Sequence, residues 1–474
     1  MLKQGKKIIA LILVAFLLLS CSEGGGITGT GFDDQTVGVI TGFGSVFVNG
    51  IKFETTNSKV TLDGVEGIES QLKLGMVVNI LGTINADGIT GIAGHIIFST
   101  DVEGIVLANN VATSASLNIL GQTIHVGAET QFESRVASVT RVEQVQAGNI
   151  VAVSGFSSGD GNINATWIEV KSAAYNAADE VAITGIIKEA TSSTFKIGEL
   201  WVRYDNATLS GIPNNTIVNG LFVEVKSKQG FNAENELLAT EVKLEGDGTK
   251  KYIIDEGQKI KLEGFVSDYS STTESFMLNG QKIQLTTTTE FEPDTVALQN
   301  GMKIVADGTL GSDGVMNAKK IEIRIESNTK ISAYIESVDT SSNTFMVLGS
   351  LVTIIPTTTF SDEEDDDHAP IRQMNLGELA VDDFVELSVF YASSVAGFVA
   401  TRVERDDPED GALIVSVEGD VSNIIIANME IEVSGIPIDI SQLSEFKPQL
   451  GDRVEIEGVY NNQVIIANAE SEIE

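Results

Sequence analysis

The sequence predicts an all-β fold, a tandem array of about six small five-stranded, OB-like β-barrel repeats. A strand, turn and strand pattern returns six times with a period of about 75 residues, and a second pattern repeats in step with it. Patterns typical of long helices are almost absent, and apolar residues alternate as they do in half-buried strands. Six small sandwiches are the alternative architecture.

The first 20 residues are typical of a secretory signal peptide. Lys3, Lys6 and Lys7 precede an unbroken apolar run from Ile8 to Leu19. A permanent membrane-spanning helix needs roughly 20 apolar residues, so this run is too short for one. Residues 1–20 are therefore predicted to be a removable export signal.

A single cysteine follows this signal directly. The tetrad Leu18-Leu19-Ser20-Cys21 resembles the bacterial lipobox, in which the cysteine is acylated and the signal is cut before it. Cys21 is the only cysteine in 474 residues, and two or more acyl chains make membrane anchoring stable. By resemblance to the sorting pattern of bacteria with two membranes, Ser22 favours the outer membrane. We expect an outer-membrane lipoprotein that faces the periplasm or the cell surface, with a lipidated Cys21 and a flexible Gly-rich tether over residues 21–36.

The two repeating patterns define the repeats. The hairpin pattern has its turns at Gly50, Gly121, Gly198, Gly280, Gly349 and Asn428. The second pattern begins as "LKLGMVVNILG" at residues 72–82, and a closing strand follows each copy. We expect repeats at residues 37–100, 101–173, 180–246, 257–326, 329–405 and 411–474.

Within each repeat the order of elements predicts an OB-like barrel. An opening strand precedes the hairpin, a Thr-rich stretch follows it, and two closing strands end the unit. Residues 136–146 and 370–379 are predicted to form a short helix or turn before the closing strands. Asp87-Gly88, Asp160-Gly161 and Asp313-Gly314 lie between closing strands and predict type I′ turns. Their alternative interpretation as calcium loops is weaker, because none has the full EF-hand spacing.

Charge limits the class of partner. The chain carries 67 acidic and 30 basic residues, with a formal net charge of −37. Such a field repels phosphate backbones, so nucleic acid is excluded as a predicted partner. We expect contact with the membrane through the lipid anchor, and with an envelope protein or a repetitive polymer.

One acidic segment is a candidate metal site. The stretch "SDEEDDDHAP" spans residues 361–370 in the fifth repeat. It is predicted to be a solvated insertion, because adjacent carboxylates repel one another. The alternative is a calcium site with the ligands Asp362, Glu363, Glu364, Asp365, Asp366 and Asp367. No other metal or cofactor is predicted.

Catalytic motifs are absent from the sequence. His95, His125 and His368 are the three histidines, and no G-x-S-x-G elbow, H-E-x-x-H helix, P-loop or Rossmann glycine pattern occurs. We therefore predict no enzyme, no catalytic residues, and a non-catalytic binding or scaffolding role. The alternative is a surface carbohydrate-active or other hydrolase with one specialised unit. Trp167 and Trp201 are the only tryptophans, which weakens sugar stacking as a mode of recognition.

The repeat resembles one known family. The stretch "VGVITGFGSVFVNGIKF" followed by "LKLGMVVNILG" is similar to the repeat of exported bacterial proteins that are defined only by a domain of unknown function, with the signature FGS-V-F-V-N-G-x-x-F. The resemblance is closest over residues 37–100. It is looser in the other five repeats, where FGS is missing and the NG turn is kept only at Asn279-Gly280. It implies export, β-rich repeats and lipoprotein status, and it supplies no catalytic residues.

Overall fold

The structure is a computed structural model of the 474-residue chain. It describes residues 32–157, 161–176, 179–246, 252, 254–292, 297–325, 327–362, 374–392, 395–406, 414–425, 429–443, 445–469 and 471–473. The predicted signal peptide, Cys21, most of the tether, His368 and calcium candidates Glu363 to Asp367 lie outside these residues. In the described ranges, no helix has the length and apolar character needed to span a bilayer.

The described chain is all-β, as the sequence predicts, and it folds into six small OB-like units. The first unit contains β1 (Asp34–Gly42), β2 (Val46–Val48), β3 (Ile51–Glu54), β4 (Lys59–Leu62), β5 (Val65–Gly67), a 3-10 helix (Glu69–Gln71), β6 (Val77–Ile84) and β7 (Thr90–Phe98). The second contains β8 (Val102–Asn109), α1 (Val111–Ser114), β9 (Ser116–Ile119), β10 (Gln122–Ser134), a 3-10 helix (Val142–Gln144), β11 (Ile150–Ser157) and β12 (Asn162–Ser172). The third contains β13 (Val181–Ile186), β14 (Thr194–Ile197), β15 (Leu200–Arg203), β16 (Thr208–Ser210), a 3-10 helix (Pro213–Asn215), β17 (Phe222–Ser227), β18 (Leu237–Leu238) and β19 (Glu241–Leu244).

The other three units repeat this plan. The fourth contains β20 (Lys259–Ser270), β21 (Ser275–Leu278), β22 (Gln281–Gln284), β23 (Glu290–Glu292), β24 (Lys303–Leu310) and β25 (Met316–Arg324). The fifth contains β26 (Thr329–Asp339), β27 (Thr344–Val347), β28 (Ser350–Asp362), a 3-10 helix (Leu376–Glu378), β29 (Phe384–Ala392) and β30 (Gly397–Asp406). The sixth contains β31 (Ile414–Ile425), β32 (Glu430–Val433), β33 (Ile436–Asp439), β34 (Arg453–Asn461), β35 (Val464–Ala467) and β36 (Glu472–Ile473). The 3-10 helices of units 2 and 5 fall where the sequence predicts a short helix or turn, whereas α1 of unit 2 was not predicted.

Strand order closes the barrel in five of the six units. In unit 2 the order is β8-β9-β10-β12-β11, and β11 pairs again with β8. The contact between β10 and β12 is parallel and the other contacts are antiparallel. Units 1, 4, 5 and 6 have the same order. Unit 3 is looser, because β14, β15 and β18 form a separate three-stranded sheet.

The last glycine of the second sequence pattern has a packing role. In unit 4, the register of β24 on β25 shifts between Asp307 and Gly308, which marks a β-bulge. A Cβ at Gly308 would collide with the carbonyl oxygen of Asn317 on β25. The glycines at the same place in units 1, 2 and 6 approach the facing carbonyl in the same way, namely Gly82, Gly155 and Gly458.

The Thr-rich stretches also have a structural role. Thr289 Oγ donates to the carbonyl oxygen of Ala318 at 2.7 Å, and it accepts from the N–H of Thr286 at 2.8 Å. Equivalent hydroxyls in units 2 and 5 make the same pair of bonds, namely Thr130 with Ala165 and Gly127, and Thr358 with Ala400 and Ile355. One hydroxyl therefore fixes the turn after the hairpin onto the closing strand in each of these units.

Two turn predictions need correction. In unit 6, the hairpin equivalent to those of the other units turns at Ser434 and Gly435, between β32 and β33. The predicted turn residue Asn428 precedes β32 and lies outside the described residues. Between closing strands, Gly88 and Gly314 have a positive φ but Asp87 and Asp313 do not, so neither turn is type I′. The Asp87 carboxylate instead accepts from the N–H groups of Ile89 and Thr90, which favours an Asx-type turn.

The six units associate as three pairs through their opening strands. The opening strands β8 and β13 pair antiparallel, as do β26 and β31, whereas β1 and β20 pair parallel. Units 2 and 3 share one buried apolar cluster, and units 5 and 6 share another. Units 1 and 4 have separate apolar clusters, and side chains of other units pack into each of them. The repeats are therefore not independent beads along the chain.

Candidate functional site

A cavity of about 630 Å³ lies where units 1, 2, 4 and 5 meet. We call it the junction cavity. Unit 2 contributes residues of β10 and β12, unit 4 contributes residues of β20, β24 and β25, and unit 5 contributes residues of β28, β29 and β30. Its walls therefore come from parts of the chain that are far apart in sequence.

A buried ion triad joins three units at this cavity. Lys303 Nζ lies 3.3 Å from Glu263 Oε1 of its own unit and 3.5 Å from Glu129 Oε2 of unit 2. The second oxygen of Glu263 accepts from the N–H of Val39 in unit 1 at 2.9 Å. The side chains of Lys303 and Glu263 are 12% and 8% exposed, so water screens this contact weakly.

The triad holds its lysine in the charged state. Burial alone disfavours an ammonium group, but Glu263 and then Glu129 outweigh it, and the pKa of Lys303 is raised above its ordinary value. Removal of one partner from a buried ion pair strongly destabilises a fold, because the other charge is then left buried without compensation. The arrangement therefore fixes the packing of units 1, 2 and 4 around the cavity.

Four apolar side chains of unit 5 line the cavity, and we call them the apolar wall: Ile355, Phe390, Val395 and Val399. Phe265 of unit 4 also lines the cavity, and it pairs directly with Lys303 across β20 and β24. The cavity therefore combines the charged triad with apolar surface that can hold a hydrocarbon body.

A family model matches five segments of this chain. The model is described as "Domain of unknown function (DUF5666)", and it matches residues 103–169, 184–243, 263–322, 333–404 and 418–469. These segments make up more than half of the chain. The chain belongs to the DUF5666 family. The five matches fall in units 2 to 6. The first unit, where the sequence resembles the repeat signature most closely, lies outside them.

No curated protein matches the chain. Among solved structures, it is similar to one titled "drosophila Unr CSD456", with 14% identity and a TM-score of 0.18. That match covers 45% of this chain and 97% of the other.

The two described histidines of this DUF5666 chain lie apart from each other, and so do its two tryptophans. His125 lies on the junction cavity wall, whereas His95 is on β7 of unit 1, 2.8 Å from the hydroxyl of Thr61. Trp167 is buried against unit 1, and Trp201 lies on β15 of unit 3. Neither tryptophan is among the residues that line the junction cavity within the described part of the chain.

Asp362 is the one calcium candidate that the structure describes. Arg405 Nη2 lies 2.5 Å from Asp362 Oδ2, and Arg405 Nε donates to Oδ1 at 3.2 Å. This two-point contact engages both oxygens of the carboxylate with a guanidinium. Over the described ranges, no group of three or more His, Cys, Asp or Glu side chains is placed to hold a metal ion.

A second cavity of about 320 Å³ lies between units 1 and 3. Asp63 and Asn79 line it from unit 1, and Glu224 and Lys243 line it from unit 3. Burial raises the pKa of Glu224, although Lys226 and Lys243 act in the opposite direction. It is smaller than the junction cavity and has contributions from fewer units.

The triad was missed in the sequence, although part of its signal is there. An opening-strand Glu-Gly pair occurs in units 2, 4 and 6, at Glu103-Gly104, Glu263-Gly264 and Glu418-Gly419. In units 4 and 6 the fourth barrel strand begins with a basic residue, Lys303 or Arg453, where units 1, 2, 3 and 5 have apolar residues. Each of these pairs forms within its unit. The further contact of Lys303 with Glu129 depends on how units 2 and 4 pack.

Proposed function

We propose that this chain is a lipid-anchored envelope protein with a non-catalytic binding or scaffolding role, and that the junction cavity is its principal ligand site. The observation that carries the proposal is the cavity itself, which four barrels build together and a buried triad holds in place. Its basic side chains are paired with carboxylates: Lys303 contacts Glu263 and Glu129, and Arg324 donates to Glu322 at 3.0 Å.

The proposal also includes a cellular location and a class of partner. Acylation at Cys21 would hold the barrels at the bacterial outer membrane, on its periplasmic or outer side. The expected partner is an envelope protein or a repetitive polymer, and the strongly acidic surface disfavours nucleic acid. The buried position of Trp167 and the place of Trp201 outside the cavity speak against the alternative of a sugar-cleaving surface enzyme.

Anchoring is tested with Cys21→Ser in a bacterial host. The parent chain should enter the membrane fraction and carry acyl chains on the peptide that begins with Cys21, as measured by mass spectrometry. The variant should lose both properties. A parent chain with an unmodified thiol would contradict the anchoring part of the proposal.

Binding is tested by photo-crosslinking in the same host. A photoreactive residue at position 395, on the apolar cavity wall, should give a discrete adduct. The same residue in place of Glu143, an exposed side chain of unit 2 outside the cavity, is the control. Identical adducts at both positions, or none at position 395, would refute the assignment of the cavity as the ligand site.

A further inference from the structure

Several threonine hydroxyls of the junction cavity can act towards a ligand only as hydrogen-bond acceptors. Four of them already donate their proton to a backbone carbonyl, so the oxygen lone pairs are what they can still offer. These bonds are Thr130 to Ala165 at 2.8 Å, Thr166 to Ser154 at 3.2 Å, Thr359 to Thr401 at 3.2 Å, and Thr401 to Ser388 at 3.1 Å. A ligand that is itself rich in donors complements such a wall.

A side-chain amide that also lines the cavity has an acceptor without a partner. Asn49 is 5% exposed, and its Nδ2 donates to the carbonyl oxygen of Val37 at 2.9 Å. Its Oδ1 is buried and accepts no hydrogen bond within the described structure. A buried acceptor left unpaired costs free energy, which adds to the demand for a donor in this region.

The charge of the cavity favours a cation. Three carboxylates line it, those of Glu129, Glu263 and Glu292, against the two basic groups of Lys303 and Arg324. Glu129 makes the long contact of the triad, at 3.5 Å, and its side chain is 32% exposed, so it can also receive a ligand. The net charge of −37 on the chain adds a long-range attraction for cations.

The apolar wall and the volume define the rest of the ligand. Phe390, Ile355 and Val395 of unit 5 line the same cavity as the charged residues and can cover a hydrocarbon body. A volume of about 630 Å³ falls in the range of sites for small organic ligands.

We propose that the junction cavity binds a protonated amine carried on an apolar body, with Glu129 receiving the ammonium group and unit 5 covering the apolar part. The proposal rests on the proposed binding role and names the ligand class for that site. A free amine or a lysine side chain of a partner protein would present the same chemistry.

The test uses the full mature chain and isothermal titration calorimetry at low ionic strength. The probe is 4-phenylbutylamine, and 4-phenylbutanol and 4-phenylbutyrate are its neutral and anionic counterparts. The amine should bind at least tenfold more tightly than either counterpart, and added salt should weaken it. Glu129→Gln should weaken amine binding about tenfold, and Glu143→Gln, an exposed glutamate of the same unit, should leave it unchanged.

Two further titrations of the same protein distinguish a free amine from a lysine side chain as the natural ligand. A short peptide with one lysine between apolar residues, and its acetyl-lysine form, test whether a protein side chain can fill the site. Equal binding of amine and alcohol would overturn the amine assignment and leave the cavity as a binding site. No binding of any probe would overturn the inference, while anchoring and crosslinking would still decide the broader function. Val395→Ser, a change at a turn on the apolar wall, should also weaken the amine, and an unchanged affinity would contradict the predicted pose.

Discussion

Replacement of Trp167 by alanine should weaken two barrels at once. Trp167 belongs to β12 of unit 2, but its indole is 3% exposed and packs into the apolar cluster of unit 1. Its ring meets Phe98 of unit 1 edge to face, with centroids 6.2 Å apart. Truncation of a fully buried tryptophan to alanine costs about 3–5 kcal/mol, because contacts are lost and a cavity remains. Since the contacts are made with unit 1, we expect most of this cost to appear there.

Hydrogen exchange measured by mass spectrometry separates the two units. A loss of 3–5 kcal/mol corresponds to at least about 100-fold faster opening of the strands that depend on the ring. We expect this acceleration in peptides from β6 and β7 of unit 1, as well as in β12. Melting temperatures alone would not distinguish the units, because a chain of several barrels is not expected to unfold in one step.

Trp201→Ala is the matched control. Trp201 is half-buried on β15 of unit 3, and Lys196 Nζ lies 4.9 Å from the centre of its ring. An exposed cation–π contact contributes about 0.5–1 kcal/mol, so the effect should be small and confined to unit 3. If Trp167→Ala accelerated exchange only in unit 2, or no more than Trp201→Ala does, then the packing between units 1 and 2 would be wrong.

Three further substitutions test local features by melting temperature, with hydrogen exchange used as above to assign each change to its unit. Gly264→Ala should destabilise unit 4 by about 1–3 kcal/mol, because the added Cβ would lie 2.5 Å from Asn279 Oδ1. Gly127→Ala is the control and should be neutral, because there is open space around the position of its added Cβ. Burial, and then a glutamate directly opposite on β30, raise the pKa of Glu386, so its charge costs stability above the carboxyl's ordinary pKa. Glu386→Gln should therefore raise the melting temperature at pH 7 and lose that gain as the pH falls towards 4; a gain that persists at pH 4 would contradict this cause. Burial lowers the pKa of His95 below its ordinary value of 6.5, so the parent should lose stability as the pH falls from about 7 to 5. His95→Gln should flatten that slope, and an unchanged slope would exclude His95 as its source.

The repeat itself could be predicted because its signals are local. A turn such as Asn49-Gly50 needs only its own residues to adopt positive φ, and both residues do so. The Thr-rich stretch is visible in the sequence as a regular feature. Its structural role is not visible there, because the carbonyl group that accepts from Thr289 lies 29 residues further along the chain. Asp87-Gly88 was predicted as a turn correctly and as type I′ wrongly, because the side chain of Asp87 binds the following N–H groups and stabilises another geometry.

The junction cavity could not be predicted because it depends on contacts between units. The Glu129 carboxylate and the Lys303 ammonium are separated by more than 170 residues, and each looks like an ordinary surface charge in its own repeat. From the sequence, Trp167 would likewise be expected in the core of unit 2, but its ring packs into the apolar cluster of unit 1. Only the relative placement of the barrels distinguishes these residues from the many charged and apolar side chains around them.

That placement has a physical cause in the opening strands. On one of its two edges, an opening strand pairs with the next strand of its own barrel over only part of its length. In β26, residues 335–339 pair with β27 of the same unit on this edge. Residues 330–332 have no partner from their own unit there, and they pair with β31 of unit 6. The strand β1 behaves alike, since residues 40–42 pair with β2 and residues 34–37 pair with β20.

An open strand edge invites association with other chains, and pairing removes that hazard. Six units form three pairs, so every opening strand in the described structure has its free half-edge filled by another opening strand of the same chain. Strand addition at these edges is therefore not available to a partner. The proposed ligand site therefore uses side chains of the junction cavity rather than a free strand edge, and two of its residues, Lys303 and Glu129, come from different pairs of units.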